Sequence, residues 1–130
     1  MSNRIFNPDG VPAPLGHYSH CGEVGPGTRV LHMAGQTARE LDGAIPNEFR
    51  DQAILVWDRL KKILAANEMA TSDIVKLVIF ITDAADIGVL REVLPDALGA
   101  NRPASTALVV SALAMPELKL EIELIAAKDV

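Results

Sequence analysis

The run Ile74-Val75-Lys76-Leu77-Val78-Ile79-Phe80-Ile81 restricts this chain more than any other segment. Its eight residues suit a strand, and they are apolar at both parities apart from one lysine. A strand of that kind needs cover on both of its faces, so it belongs at the centre of a sheet. The rest of the chain supplies two helical patterns, enough to cover one face of a sheet of about six strands. The second face is then expected to meet another subunit. The composition agrees: 49% of the 130 residues are hydrophobic and the mean hydropathy is +0.22, more apolar surface than one small domain readily hides.

The first helical pattern opens at Pro46 and Asn47 and carries Phe49, Ala53, Val56, Trp57, Leu60, Ile63 and Leu64 along one stripe. The second follows the N-cap candidates of Asp83-Ala84-Ala85-Asp86 and turns Ile87, Leu90, Val93, Leu94 and Leu98 inward, with Pro95 expected to bend it or end it early. Ahead of them, Arg4-Ile5-Phe6 is a possible short strand. Residues 18–24 and 28–34 read as a hairpin about Gly25-Pro26-Gly27, and Asp42-Gly43 marks a further turn. Toward the C-terminus two strands are expected, one over Thr106 to Leu113 and one over Leu118 to Ala126, joined through Met115-Pro116. In the second, every even position from 118 to 126 is apolar while 119, 121 and 123 are charged, the alternation of a half-buried strand. Glu121 and Glu123 therefore point the same way, roughly 6.5 to 7 Å apart. The order is β-β-β-α-β-α-β-β, an α+β arrangement with both helices on one sheet face.

Residues 1–130 read as one domain, large enough for a core without disulfides or metals. A net charge of −5 argues against nucleic acid as a partner, because such binding draws on Lys and Arg neutralising phosphates. Cys21 is the single cysteine, so no intrachain disulfide forms. With no leader and no apolar span of membrane length, the chain is expected to be cytoplasmic and free of the membrane. His17, His20, Cys21 and His32 do not make a convincing zinc set, since alternate residues of a strand splay to opposite faces. His20 shares a strand face with Tyr18, so both are expected to line one cleft. Cys21 and Ser105 lack an assignable base for nucleophilic work, and Gly25-Pro26-Gly27 lacks the frame of a phosphate loop.

Several segments taken together resemble the RidA/YjgF family of enamine/imine deaminases. They are residues 15–20 (Leu-Gly-His-Tyr-Ser-His), Met33-Ala34-Gly35-Gln36, Asp73-Ile74-Val75-Lys76, Phe80-Ile81-Thr82-Asp83, Arg102-Pro103-Ala104-Ser105-Thr106 and residues 120–126. The resemblance implies a chorismate-mutase-like α+β fold assembled as a homotrimer, with ligand clefts between neighbouring subunits. It also implies that Tyr18 is the cleft tyrosine and Glu121 the carboxylate that holds the attacking water. In imine-hydrolysing members an arginine directly after Pro-Ala binds the substrate carboxylate through a two-pronged contact, and this chain has Ser105 there. A serine before Gly-Gln in active members is Ala34 here. Arg91 falls near a position that holds a cleft-facing asparagine in active members, and either it or Arg102 offers charge by another route.

The resulting expectation is a homotrimer that binds a small molecule in intersubunit clefts lined by Tyr18, Gly35, Arg91, Ser105 and Glu121. Any chemistry would be hydrolytic deamination of an enamine or imine, needing no metal or other cofactor, with Glu121 catalytic. Activity on simple 2-imino acids is in doubt because Ser105 replaces the arginine. The alternative is a non-catalytic metabolite-binding or regulatory trimer. Ribonuclease activity, sometimes attributed to the family, is disfavoured by the acidic balance.

Overall fold

A computed structural model describes residues 3–130. Six strands and two helices follow one another as β1 (Asn3–Phe6), β2 (Cys21–Val24), β3 (Thr28–Gln36), α1 (Phe49–Ala66), β4 (Ile74–Ile81), α2 (Ile87–Leu98), β5 (Ala104–Val109) and β6 (Leu120–Asp129). This is the expected α+β order. β4 is central: β6 lies antiparallel on one side of it and β5 parallel on the other, in a sheet ordered β3-β6-β4-β5. β1 and β2 form an antiparallel ribbon. A single parallel bridge between Ser19 and Ala104 ties the segment leading into β2 to the free edge of β5.

Two pairings differ from the sequence reading. The segments about Gly25-Pro26-Gly27 are not a hairpin: β2 pairs with β1, while β3 pairs with β6 from Thr28 opposite Asp129 to Met33 opposite Leu124. The two C-terminal strands are not neighbours either, because β4 lies between them, and β5 stops at Val109. Pro116 falls in an irregular crossing from one side of β4 to the other. Pro95 does not end α2, which continues to Leu98 and closes with the Gly99 N–H donating to the Pro95 carbonyl at 2.9 Å. A proline removes one donor and crowds the turn before it, a cost met here only near the helix end. α1 begins at Phe49, slightly later than Pro46 and Asn47 suggest.

One sheet face carries Leu77, Ile79, Ile81, Leu120, Ile122, Leu124 and Met33, all buried in one cluster with residues of both helices. From α1 it receives Phe49, Ala53, Val56, Trp57, Leu60 and Leu64, and from α2 Leu90, Val93, Leu94, Ala97 and Leu98. These are the stripes read from the sequence, with Ala97 added and Ile63 and Ile87 only partly buried. The opposite face has no helix over it. Val78, Phe80 and Ile125 are half-buried there, and Val30 and Leu108 remain 44% and 37% exposed.

Gln52 lies fully inside α1's apolar face. Its Nε2 donates to the carbonyls of Pro46 (2.8 Å) and Glu117 (2.9 Å), and its Oε1 accepts from the Lys119 N–H (2.8 Å). One side chain thus satisfies three backbone groups in the segments that enter α1 and β6, as buried polar groups require. Replacing it by an apolar residue strands those groups. Gln52→Leu is predicted to lower unfolding stability by about 2–4 kcal/mol; an unchanged denaturation midpoint would show that water reaches these groups and the junction is dispensable.

Candidate functional site

The register of the sheet decides which side chains share a face. On β6, Glu121 lies opposite Phe80 and Glu123 opposite Val78, while their neighbours Leu120, Ile122 and Leu124 point into the core. Both glutamates therefore stand on the helix-free face, Glu121 half-buried and Glu123 exposed, as the alternation implies. Ser105 pairs with Leu77 and Ala107 with Ile79, residues of the helix-covered face. Glu121 and Ser105 thus belong to opposite faces of one sheet.

On the helix side, a cavity of about 270 Å³ opens between α2 and the β5 edge. Its floor is Ile79, Ser105 and Ala107, its roof Ile87, Leu90, Arg91 and Leu94, and residues 15–18 close one end. The small side chains on β5 leave this space, since edge-strand positions beneath a helix normally carry larger apolar groups. The closing segment is held by its backbone: Ser19 N–H donates to the Pro103 carbonyl at 3.2 Å, Tyr18 N–H donates to the Gly16 carbonyl at 2.9 Å, and the His17 ring meets the Asn101 carbonyl at 3.0 Å. Asn101 is itself anchored through Nδ2 to the carbonyls of Thr71 and Ile74. Tyr18, Arg91 and Ser105 are therefore brought together around one cavity.

Within it, the Ser105 hydroxyl donates to the Pro103 carbonyl at 3.2 Å. The hydroxyl has a local partner, and as both donor and acceptor it can be re-aimed toward a ligand. The Arg91 guanidinium has no hydrogen-bond or ion-pair partner among the described residues. Arg102 is exposed and lies outside the cavity lining.

Gly35 and Glu121 come together on the other face. β3 is irregular between Met33 and Gln36, and this carries Gly35 directly beneath the Glu121 side chain. A Cβ at Gly35 would overlap the carboxylate and stand 2.7 Å from Glu121 Cδ. Glycine at 35 thus seats the carboxylate against backbone, a role that sequence pattern alone does not specify. His20 does not join Tyr18 in the cavity. The two rings meet edge to face at 6.1 Å, but the His20 ring nitrogen is bonded to the Pro12 carbonyl at 2.7 Å and the His20 backbone N–H donates to Asn7 Oδ1 at 2.8 Å, so the residue braces the N-terminal loop. Among the described residues no group of three or more His, Cys, Asp and Glu side chains is placed to hold a metal ion.

Residues 10–128 match the family model described as endoribonuclease L-PSP. The chain belongs to the RidA/YjgF family. TdcF of Escherichia coli K12, whose name describes a reactive intermediate deaminase, is 36% identical over 130 residues, covering 97% of this chain and 98% of that one. A crystal structure of E. coli TdcF with bound serine superposes with a TM-score of 0.71 at 31% identity, over 97% of this chain and 99% of that chain. The Rid family protein YyfB of Yersinia pestis, described as of unknown function, superposes with a TM-score of 0.87 at 29% identity, over 97% and 98% of the two chains. A 2-iminobutanoate/2-iminopropanoate deaminase of Dermatophagoides farinae is 27% identical over 112 residues, 85% of each chain. The family acts on reactive enamine and imine intermediates, and homotrimeric assembly is typical of it.

The seating of Glu121 is open to a direct check. Gly35→Ala is predicted to leave stability within about 1 kcal/mol, because the overlapping group is a side chain free to swing. It should drive Glu121 into another rotamer in a crystal structure of the variant. An unmoved Glu121 would mean that the backbone yields instead.

Proposed function

We propose that this protein hydrolyses a reactive imine or enamine in a cleft completed by a second copy of the chain. One observation carries the reading: Glu121 and the Tyr18–Arg91–Ser105 cavity lie on opposite faces of one sheet. A single ligand meets both only when the helix-free face of one subunit packs against the cavity side of its neighbour. The apolar groups left uncovered on that face, Val30, Val78, Phe80, Leu108 and Ile125, favour such packing. The names of similar proteins, a reactive intermediate deaminase and an iminobutanoate/iminopropanoate deaminase, support the reaction class.

In the proposed step, the Glu121 carboxylate of a neighbouring copy orients a water molecule and takes its proton as the oxygen attacks the iminium carbon. The C–N π electrons move to nitrogen, giving a neutral carbinolamine. The proton held by Glu121 then passes to that nitrogen. The hydroxyl proton returns to the Glu121 carboxylate as a carbonyl forms, the C–N bond breaks and ammonia leaves, and ammonia takes up that proton as ammonium, restoring the carboxylate. The iminium carbon is electrophilic enough that a positioned water and a base suffice. An enamine enters the same route after protonation at carbon.

The second reading is a binding module without turnover, and one feature favours it: Ser105 brings no charge where imine-hydrolysing members carry an arginine. A rate measurement separates the two. Carbonyl release from freshly generated imines, one series with a carboxylate and one without, is compared with spontaneous hydrolysis. Acceleration is expected, and Glu121→Gln should reduce it by about 100-fold or more while the oligomer persists. No acceleration in either series would move the weight to the binding module. Ser105→Arg is predicted to raise activity on small 2-imino acids by adding a forked anion contact, and unchanged activity in a folded oligomer would count against this cleft geometry.

A further inference from the structure

A second cavity lies between the two helices, on the other side of α2 from the cleft. It measures about 280 Å³ and shares no lining residue with the cavity at β5. Trp57 from α1 and Val93 and Ala97 from α2 form its buried floor, and exposed Ile54 stands on its rim. Trp57 is only 3% exposed, yet its indole Nε1–H has no acceptor among the described residues. Buried polar groups almost always have a partner, and a tryptophan N–H can only donate. An acceptor delivered through the cavity that Trp57 lines would meet that requirement. The rim charges set what else such a ligand carries. Arg50 is engaged by Glu92, and Asp58 by Lys62. That leaves Lys61 on α1 and Asp96 on α2, both exposed members of the lining and neither in an ion pair among the described residues. One wall thus offers a free cation and the other a free anion.

We propose that the groove between α1 and α2 is a binding site for an α-amino acid with an aliphatic side chain, taken up as the zwitterion. The ligand carboxylate accepts from the Trp57 N–H and faces the Lys61 ammonium. Its own ammonium faces Asp96, and its side chain lies on Ile54, Val93 and Ala97. Charge-assisted hydrogen bonds are the strong ones, and a simple acid or a simple amine makes them with one wall only. The zwitterion is therefore selected over either. A volume near the lower end of small-molecule pockets, about 300 Å³, suits a ligand of this size. The site lies outside the proposed cleft and does not rest on the hydrolytic reading.

The chain has one tryptophan, so the single indole N–H resonance of the intact, isotope-labelled protein reports on this groove. L-leucine should move that resonance downfield, as hydrogen bonding does, with half-saturation at about 1 mM or below. L-leucinamide lacks the carboxylate, 4-methylpentanoate the ammonium and glycine the side chain, and each should bind at least about fivefold more weakly. Lys61→Gln should weaken leucine by about fivefold or more and leave leucinamide unchanged. Asp96→Asn should weaken leucine similarly and leave 4-methylpentanoate unchanged. Both residues are exposed, so both variants are expected to fold, and a thermal melt of each verifies it. Ser105→Arg, which alters only the cleft, should leave the indole titration as it is. The assignment is overturned by an indole resonance that leucine does not shift, or by equal binding of leucine and 4-methylpentanoate. It is equally overturned if both groove variants keep full leucine affinity, or if Ser105→Arg abolishes the titration, which would put leucine in the cleft.

Discussion

The pairing register of β6 against β4 is the constraint from which the rest of this structure follows. Ile81 stands opposite Leu120, Ile79 opposite Ile122 and Leu77 opposite Leu124, so three apolar pairs close the core beneath the helices. Strand side chains alternate, and a slip of one residue would bury Glu121 and Glu123 and expose the leucines. The cost of burying unpaired carboxylates makes that slip prohibitive. Gln52 adds a second lock. It receives the Lys119 N–H and donates to the Glu117 carbonyl, fixing the chain just before β6 begins. The position of Glu121 is thereby set by a helix residue on the other side of the sheet.

That lock is not legible in the sequence, and the reason is physical. A glutamine beside an apolar stripe looks the same whether it faces solvent or satisfies three buried backbone groups, because the groups it serves come from segments at 46 and 117–119. Periodicity, by contrast, reports which face of its own element a residue occupies. It correctly places the stripes of α1 and α2, the central position of β4 and the shared face of Glu121 and Glu123. It says nothing about which strand lies alongside. Chain proximity therefore suggests a hairpin about Gly25-Pro26-Gly27 and adjacency of the last two strands, where long-range pairing with β6 and β4 prevails. Pro95, weighed by its local cost alone, should bend its helix or end it early, and the packing of Ala97 and Leu98 beyond it carries α2 onward.

The candidate site is legible by residue type and only half legible by geometry. Tyr18, Arg91 and Ser105 do surround one cavity, and Gly35 does adjoin Glu121, yet these are two groups on two faces. Only pairing through β4 shows this, since positions 105 and 121 carry no mark of their relative orientation. Likewise, Tyr18 and His20 are two residues apart and their rings touch, but the His20 ring is committed to Pro12. A ring with its nitrogen bonded to a loop carbonyl serves to hold that loop, and through it the end of the cavity formed by residues 15–18.

Placing an ionisable group and an uncovered apolar face on the same side of a sheet links assembly to chemistry. In an isolated subunit, Glu121 sits beside Phe80 on a surface that water wets, where a carboxylate gains little from its surroundings. When the apolar residues around it are covered by a neighbour, water is removed from the same surface, and electrostatic contacts made there strengthen as the local dielectric falls. In the proposed packing the bulk of the association energy would come from groups such as Val78, Phe80 and Ile125, which take no part in the proposed proton transfer. The residues that drive association and the residue that would act on the ligand are thus interleaved on adjacent strands, at alternate positions of one pleat. On this reasoning a substitution such as Val78 to a charged residue acts at a distance on the cleft: it leaves every cavity-lining side chain in place within its own subunit and removes the neighbour that completes the site.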